Sequence, residues 1–149
     1  LPNEPVVDLT IRAARTSDAA ALARLMCELG YETSASEMQS RLEKILPDSH
    51  YYALVAVEQG KVCGMIGTFA CHSFEHNDSG GRILALVVAS DSRRRGIARR
   101  LMAAAEQNFA ERKITRIAVN TRFERNDAHQ FYEALGYQRN GFRFVKTLR

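Results

Sequence analysis

Arg93-Arg94-Arg95-Gly96-Ile97-Ala98 sets three cations beside a residue with no side chain. The guanidinium fork matches phosphate oxygens. Gly96 lets a ligand approach the backbone closely, and Ala98 keeps a nearby position small. Before this cluster runs an apolar stretch, residues 83–89, with no charge. Such a run predicts a strand buried on both faces. Ser90, Asp91 and Ser92 are turn and cap residues between the two. After Gly96, Ile97, Leu101, Ala105 and Phe109 recur at helical spacing, and Arg99 and Arg100 add charge to the first turn. The first amides of a helix have no intrahelical partner and carry the positive end of its dipole. A strand, a tight turn and a helix that opens on Gly therefore predict a phosphate or pyrophosphate site. An ordinary basic helix start shares the same short pattern.

A second block lies downstream, Asn126-Asp-Ala-His-Gln-Phe-Tyr-Glu-Ala-Leu-Gly-Tyr137. Arg93-x-x-Gly96-x-Ala98 after an apolar strand, followed by N-x-A-x-x-F-Y-x-x-x-G-Y, resembles the GNAT N-acetyltransferase superfamily over nearly the whole chain. The resemblance implies an acetyl-CoA cosubstrate. Its pyrophosphate would lie on Arg93, Arg94, Arg95, Gly96, Ile97, Ala98 and Arg99, and its pantetheine along Leu86, Val87 and Val88. Asn126 and Phe131 would touch the cofactor, and Tyr132 would sit beside its sulfur as general acid. Residues 125–133, the ending Phe142-Arg-Phe-Val-Lys-Thr-Leu148 and Cys27-Glu28-Leu29 look, more narrowly, like the aminoalkylphosphonate N-acetyltransferases. The same resemblance implies that the first two helices and their link, with Tyr31 and Glu32, wall the acceptor site, and that the protein forms a homodimer.

Acetyl transfer needs a neutral amine, a polarised carbonyl, a stabilised leaving thiolate and two reactants held in line. Backbone amides of Leu86 to Val88 are suited to the carbonyl, and the Tyr132 phenol to the thiolate. One feature departs from the family's pattern. Many GNAT enzymes carry a Glu base on the central strand; here that position is Ala85, and an earlier acidic position of the aminoalkylphosphonate group is Arg82. His72, Glu75 and His76 are the upstream alternatives for the base. Arg82 either meets an anionic group on the acceptor or faces water. His129 is expected to pack or cap on its helix, and no metal is expected.

These residues need elements to hold them. Residues 1–7 hold two of the three prolines and predict a loose leader. Residues 8–14 alternate as a half-buried strand. Thr16-Ser17-Asp18 caps a helix over 18–29 that Gly30 stops, and a polar link leads to a helix over 36–46. Strands over 51–58 and 61–72 meet at Gln59-Gly60, with Gly64 and Gly67 marking bulges or close approach. Residues 75–81 predict a surface loop, and the helix after Gly96 ends near Lys113. A strand over 114–121, a helix over 128–135 and a hairpin of 137–139 with 142–148 around Asn140-Gly141 complete the order βααβββαβαββ. That order is α/β: a mixed sheet flanked by four helices, the GNAT fold in a single domain, residues 1–149.

The totals bound the function. With 149 residues, 46% hydrophobic and 26% charged, the chain suits one globular domain. No apolar segment approaches the ~20 residues that span a bilayer. The start LPNEPVVDL has no basic stretch before an apolar core, so no secretory signal is expected. Cys27, Cys63 and Cys71 form no CxxC pair, which suits reduced thiols in a cytoplasmic protein. The net charge of +4 concentrates where one polyphosphate would use it, so no nucleic-acid partner is expected. The reading is an acetyl-CoA-dependent N-acetyltransferase acting on a small amine by direct attack in a ternary complex. Two alternatives stay open: a CoA-binding module without catalysis, in a regulatory role, and a basic domain that binds nucleic acid or protein.

Overall fold

The computed structural model describes residues 8–121 and 126–148. The expected leader, residues 1–7, lies outside them, as does Arg125. Five strands form one sheet in the order β1-β2-β3-β4-β5: β1 Leu9–Ala13, β2 Tyr51–Glu58, β3 Lys61–Cys71, β4 Gly80–Val88 and β5 Ile117–Val119. The first four pair antiparallel in sequence. β5 follows β4 through a helix, a connection that parallel neighbours require, and the five-strand sheet is mixed. The helices are α1 Ala19–Leu29, α2 Ala35–Ile45, α3 Ile97–Glu111 and α4 Asn126–Ala134. Two compact units divide the chain, Leu1–Ala118 and Val119–Arg149.

In the first unit the sheet has two covered faces. On one, Leu22, Leu25, Met38 and Leu42 of α1 and α2 bury Val55, Met65 and Val87. On the other lies α3. A Cβ at Gly64 would meet Ile97 and Leu101, and one at Gly81 would meet the Phe109 ring at 2.7 Å. Both glycines are places of close helix approach, so at Gly64 the strand gives up its side chain for packing. Gly30 ends α1 in the left-handed region at φ 107°. α2 begins earlier than its expected Ser36 because Ser34 and Glu37 close a reciprocal capping box. The hairpin turn at Gln59 and Gly60 has φ of 52° and 74°, the paired positive values of a tight turn matched to strand twist.

Two expectations need correction. The central strand is not buried on both faces: β4 starts at Gly80, and Leu84 is 54% exposed. The cause is a bulge. Gly67 lies opposite Ala85 and Thr68 opposite Ile83, so Leu84 has no partner and the side-chain alternation switches there. The terminal hairpin is also not formed: residues 137–148 carry no strand. Phe142, Phe144, Val145 and Leu148 are all highly exposed, so neither arm has the buried apolar face that an isolated hairpin needs. β5 is likewise shorter than expected. Ile114 still donates its amide to Phe109 of α3 and is buried as part of the helix exit.

Candidate active site

The segment from β4 to α3 is a tight turn that runs into an uncapped helix start. Ser90–Ser92 forms a single 3-10 turn, Arg93 is extended, and Gly96 takes φ 79° as the N-cap of α3. No side chain caps that helix, and a Cβ at Gly96 would meet nothing within 4 Å. The first-turn amides are therefore left without a side-chain cap, at the helix end whose dipole favours a negative charge. Ile97, 1% exposed, locks the start of the helix into the core beneath. A pyrophosphate fits these residues.

The loop is held from three sides. The Arg93 Nε donates to the Val88 carbonyl at 3.2 Å, folding that side chain over the end of β4 while its terminal nitrogens stay available. Arg95 donates to Glu58 Oε1 at 2.9 Å, an ion pair to the last residue of β2. The Ser90 hydroxyl donates to the Glu28 carboxylate at 2.9 Å, and the Ser90 amide also points there, so the end of α1 fixes the start of the loop. Arg94, Arg99 and Arg100 are exposed, and Arg94 holds φ 65° without being glycine. Glu58 and Glu28 carry the loop's geometry, yet neither stood out as a site residue from type and spacing. Each acts through a contact far along the chain, which a sequence pattern does not display.

Leu86, Val87 and Val88 lie opposite Ile66, Met65 and Gly64 of β3. Alternate amides of a strand face opposite edges, so part of this stretch points away from β3. Ala85 leaves the α1–α2 face of β4 without a carboxylate: its residues there are Arg82, Ala85 and Val87. Of the upstream bases considered, Glu75 is held by the Ser73 hydroxyl at 3.0 Å, which lowers its pKa. That favours the carboxylate but makes it a weaker proton acceptor. His72 and His76 are exposed on the same loop. Cys63 is buried, donates to the Ala56 carbonyl at 3.5 Å and has its pKa raised, first by desolvation and then by Glu58. It is a core thiol rather than a nucleophile.

The second unit carries Asn126, Phe131 and Tyr132 on α4, which Gly136 closes at φ 95°. The Tyr132 ring meets Phe131 edge-on at 5.3 Å and Tyr137 at 5.8 Å, and the Tyr137 amide donates to the Tyr132 carbonyl at 3.0 Å.

The acetyltransferase (GNAT) family model matches residues 19–137, from the first residue of α1 to Tyr137. The chain belongs to the GNAT acetyltransferase family. As a GNAT protein it is an acetyl-CoA-dependent N-acetyltransferase. It is 32% identical to the aminoalkylphosphonate N-acetyltransferase of Salmonella typhimurium over 145 residues, 97% of this chain and 93% of that one. A GNAT family acetyltransferase structure from Staphylococcus aureus is 29% identical with a TM-score of 0.81, covering 95% of this chain and 100% of that chain. The CoA complex of aminoglycoside N-acetyltransferase AAC(6′)-Iy shares the fold at a TM-score of 0.82 and 18% identity, covering 95% of both chains.

Proposed function

We propose that this GNAT protein acetylates the primary amine of a small molecule, with aminoalkylphosphonates among the acceptors to test first. The observation that carries this reading is the uncapped, arginine-rich start of α3, continuous with the bulged strand β4. Cradle and strand supply one polyphosphate site and one backbone track leading from it. The amine's lone pair attacks the thioester carbonyl, the C–S bond breaks, and the thiolate takes a proton. Leu86 to Val88 and Arg93 to Arg99 are assigned to the cofactor from the strand, turn and helix start, and Asn126 and Phe131 from their place in the N-x-A-x-x-F-Y pattern. Tyr132 serves as the acid to the thiolate, a role that rests on its place in the N-x-A-x-x-F-Y pattern. Arg95 contributes through its tie to Glu58. A homodimer in the cytoplasm belongs to the same reading; the three free cysteines suit a reducing compartment.

The test is thiol release at saturating acetyl-CoA across a panel of amines. Release that depends on the amine supports the reading. Release that no amine in the panel stimulates would overturn it. Light scattering on the purified protein decides the dimer.

A further inference from the structure

Beyond its core, the α1–α2 face of the sheet continues as a half-buried strip. Partners across antiparallel strands share a face, so the register defines three rows from β2 through β3 to β4. Val55, Met65 and Val87 form the first, which is core, at most 6% exposed. Ala53, Gly67 and Ala85 form the second: small residues, all half-buried. A Cβ at Gly67 would meet only Met65 Cε, at 3.5 Å, so there is room above this floor. Tyr51, Phe69 and Arg82 form the third row. Tyr51 meets Phe69 edge-on at 4.8 Å, and His50 stacks on Phe69 at 5.8 Å. A core wall, a floor of small side chains and an aromatic rim ending in a cation together outline a recess. Its floor ends at Ala85, next to the Leu86 backbone assigned to the thioester.

Arg82 is exposed and has no ion-pair partner among the described residues, unlike Arg12, Arg95 and Arg116. Among the described residues, three carboxylates near this end of the sheet are already engaged. Asp48 accepts from His50 at 2.8 Å, Asp78 pairs with Arg116, and Glu75 is bonded to Ser73. The cation is therefore available to a ligand. Rows on a strand face are about 6.6 Å apart, twice the rise per residue. An anion at Arg82 and an amine above Ala85 thus belong to one short molecule.

We propose that this recess is the acceptor subsite and that Arg82 binds an anionic group of the substrate, an amine whose oxyanion lies a few ångströms from the nitrogen. The assignment deepens the function proposed above and rests on it. Phosphonate, phosphate and carboxylate share this chemistry. Phe69 and Tyr51 form the apolar wall along the connecting carbons.

The experiment compares 2-aminoethylphosphonate, β-alanine and n-butylamine as acceptors for the wild type, Arg82→Gln and Arg82→Lys. The wild type should prefer the two anionic amines over n-butylamine, and the ratio of phosphonate to carboxylate identifies the preferred anion. Arg82→Gln should raise KM for the preferred anionic amine at least tenfold, with Arg82→Lys recovering part of it. It should leave kcat/KM for n-butylamine and KM for acetyl-CoA within about twofold. Equal losses on charged and neutral amines, or no loss on either, would overturn the subsite. If the wild type releases no thiol with any amine, the transferase reading fails separately. Calorimetric titration of 2-aminoethylphosphonate then decides: binding that Arg82→Gln abolishes supports the subsite, and absent or unaltered binding overturns it.

Discussion

At the scale of single residues, the chemistry turns on which groups act only in the transition state. Sulfur gains negative charge only as the C–S bond breaks, so a phenol donor at that atom lowers the barrier without tightening ground-state binding. Tyr132→Phe keeps the ring that packs on Phe131 and Tyr137. The expected result is a fall in kcat of roughly 10²-fold, the low end for a positioned acid, with acetyl-CoA affinity little changed. Steady-state kinetics on the folded variant check it, and activity within about threefold of wild type would remove Tyr132 from the chemistry. Gly96 is the opposite case, a residue that should matter for binding before any chemistry. Its Cβ position is empty space at the helix start. Gly96→Asp would put a carboxylate where the pyrophosphate approaches, and Asp tolerates the left-handed conformation better than most residues. Acetyl-CoA binding should be lost while the circular dichroism spectrum stays unchanged. Arg93→Ala should cost less, on the order of 1–3 kcal/mol for a charge-assisted contact. Unaltered calorimetric affinity in either variant would dismiss the cradle as the cofactor site.

At the scale of elements, what was legible in the sequence was local, and what was not was pairing. Gly30 marks the end of α1 and Gln59-Gly60 the β2–β3 turn because the signals for both sit within a few residues of the feature. The bulge at Leu84 and the ties from Glu58 and Glu28 to the loop depend on which residues face one another across strands. No spacing along one segment encodes that. The apolar run of β4 suggested burial on both faces, but the bulge turns Leu84 outward, so hydrophobicity and exposure part company there. Asn140-Gly141 is a strong turn signal, yet a turn residue pair cannot supply the apolar partner its arms would need. Gly81 shows a constraint that composition hides. Its missing side chain is filled by Phe109, a fully buried ring with no flexible end to give way. Gly81→Ala should destabilise the fold by about 1–3 kcal/mol, the range for overpacking a core. Gly80→Ala, whose Cβ would meet nothing within 4 Å, is the control and should change the urea midpoint little. Equal midpoints for the two variants would mean that α3 does not pack on β4 as described.

At the scale of the whole molecule, stability should fall in acid, and one partly buried ion pair should account for much of the slope. Asp18, 6% exposed, accepts from both terminal nitrogens of Arg12 at 2.9 Å and from the Arg15 amide at 2.8 Å. The Arg12 hydrogen bonds hold its pKa below the ordinary carboxylate value, against the desolvation that pushes it up. A carboxylate whose folded pKa is depressed contributes stability that is present above its unfolded pKa, near 3.8. That contribution is lost as pH falls through the lower folded value. Asp78 is depressed in the same direction by Arg116, but it lies in solvent, where such pairs contribute little. The two can be separated. Asp18→Asn should lower stability at pH 7 by ~1.5–3 kcal/mol, the range for hydrogen bonds to a charged group. Below the folded pKa the wild-type side chain is itself neutral, so the curves of wild type and Asp18→Asn should converge as the pH drops. Asp78→Asn should track the wild type throughout. Urea midpoints measured from pH 7 down to about pH 1.5, through the range where a depressed carboxylate protonates, distinguish these outcomes. A constant gap between wild type and Asp18→Asn would show that the variant loses packing rather than charge, and would take the acid sensitivity away from the Arg12–Asp18 pair.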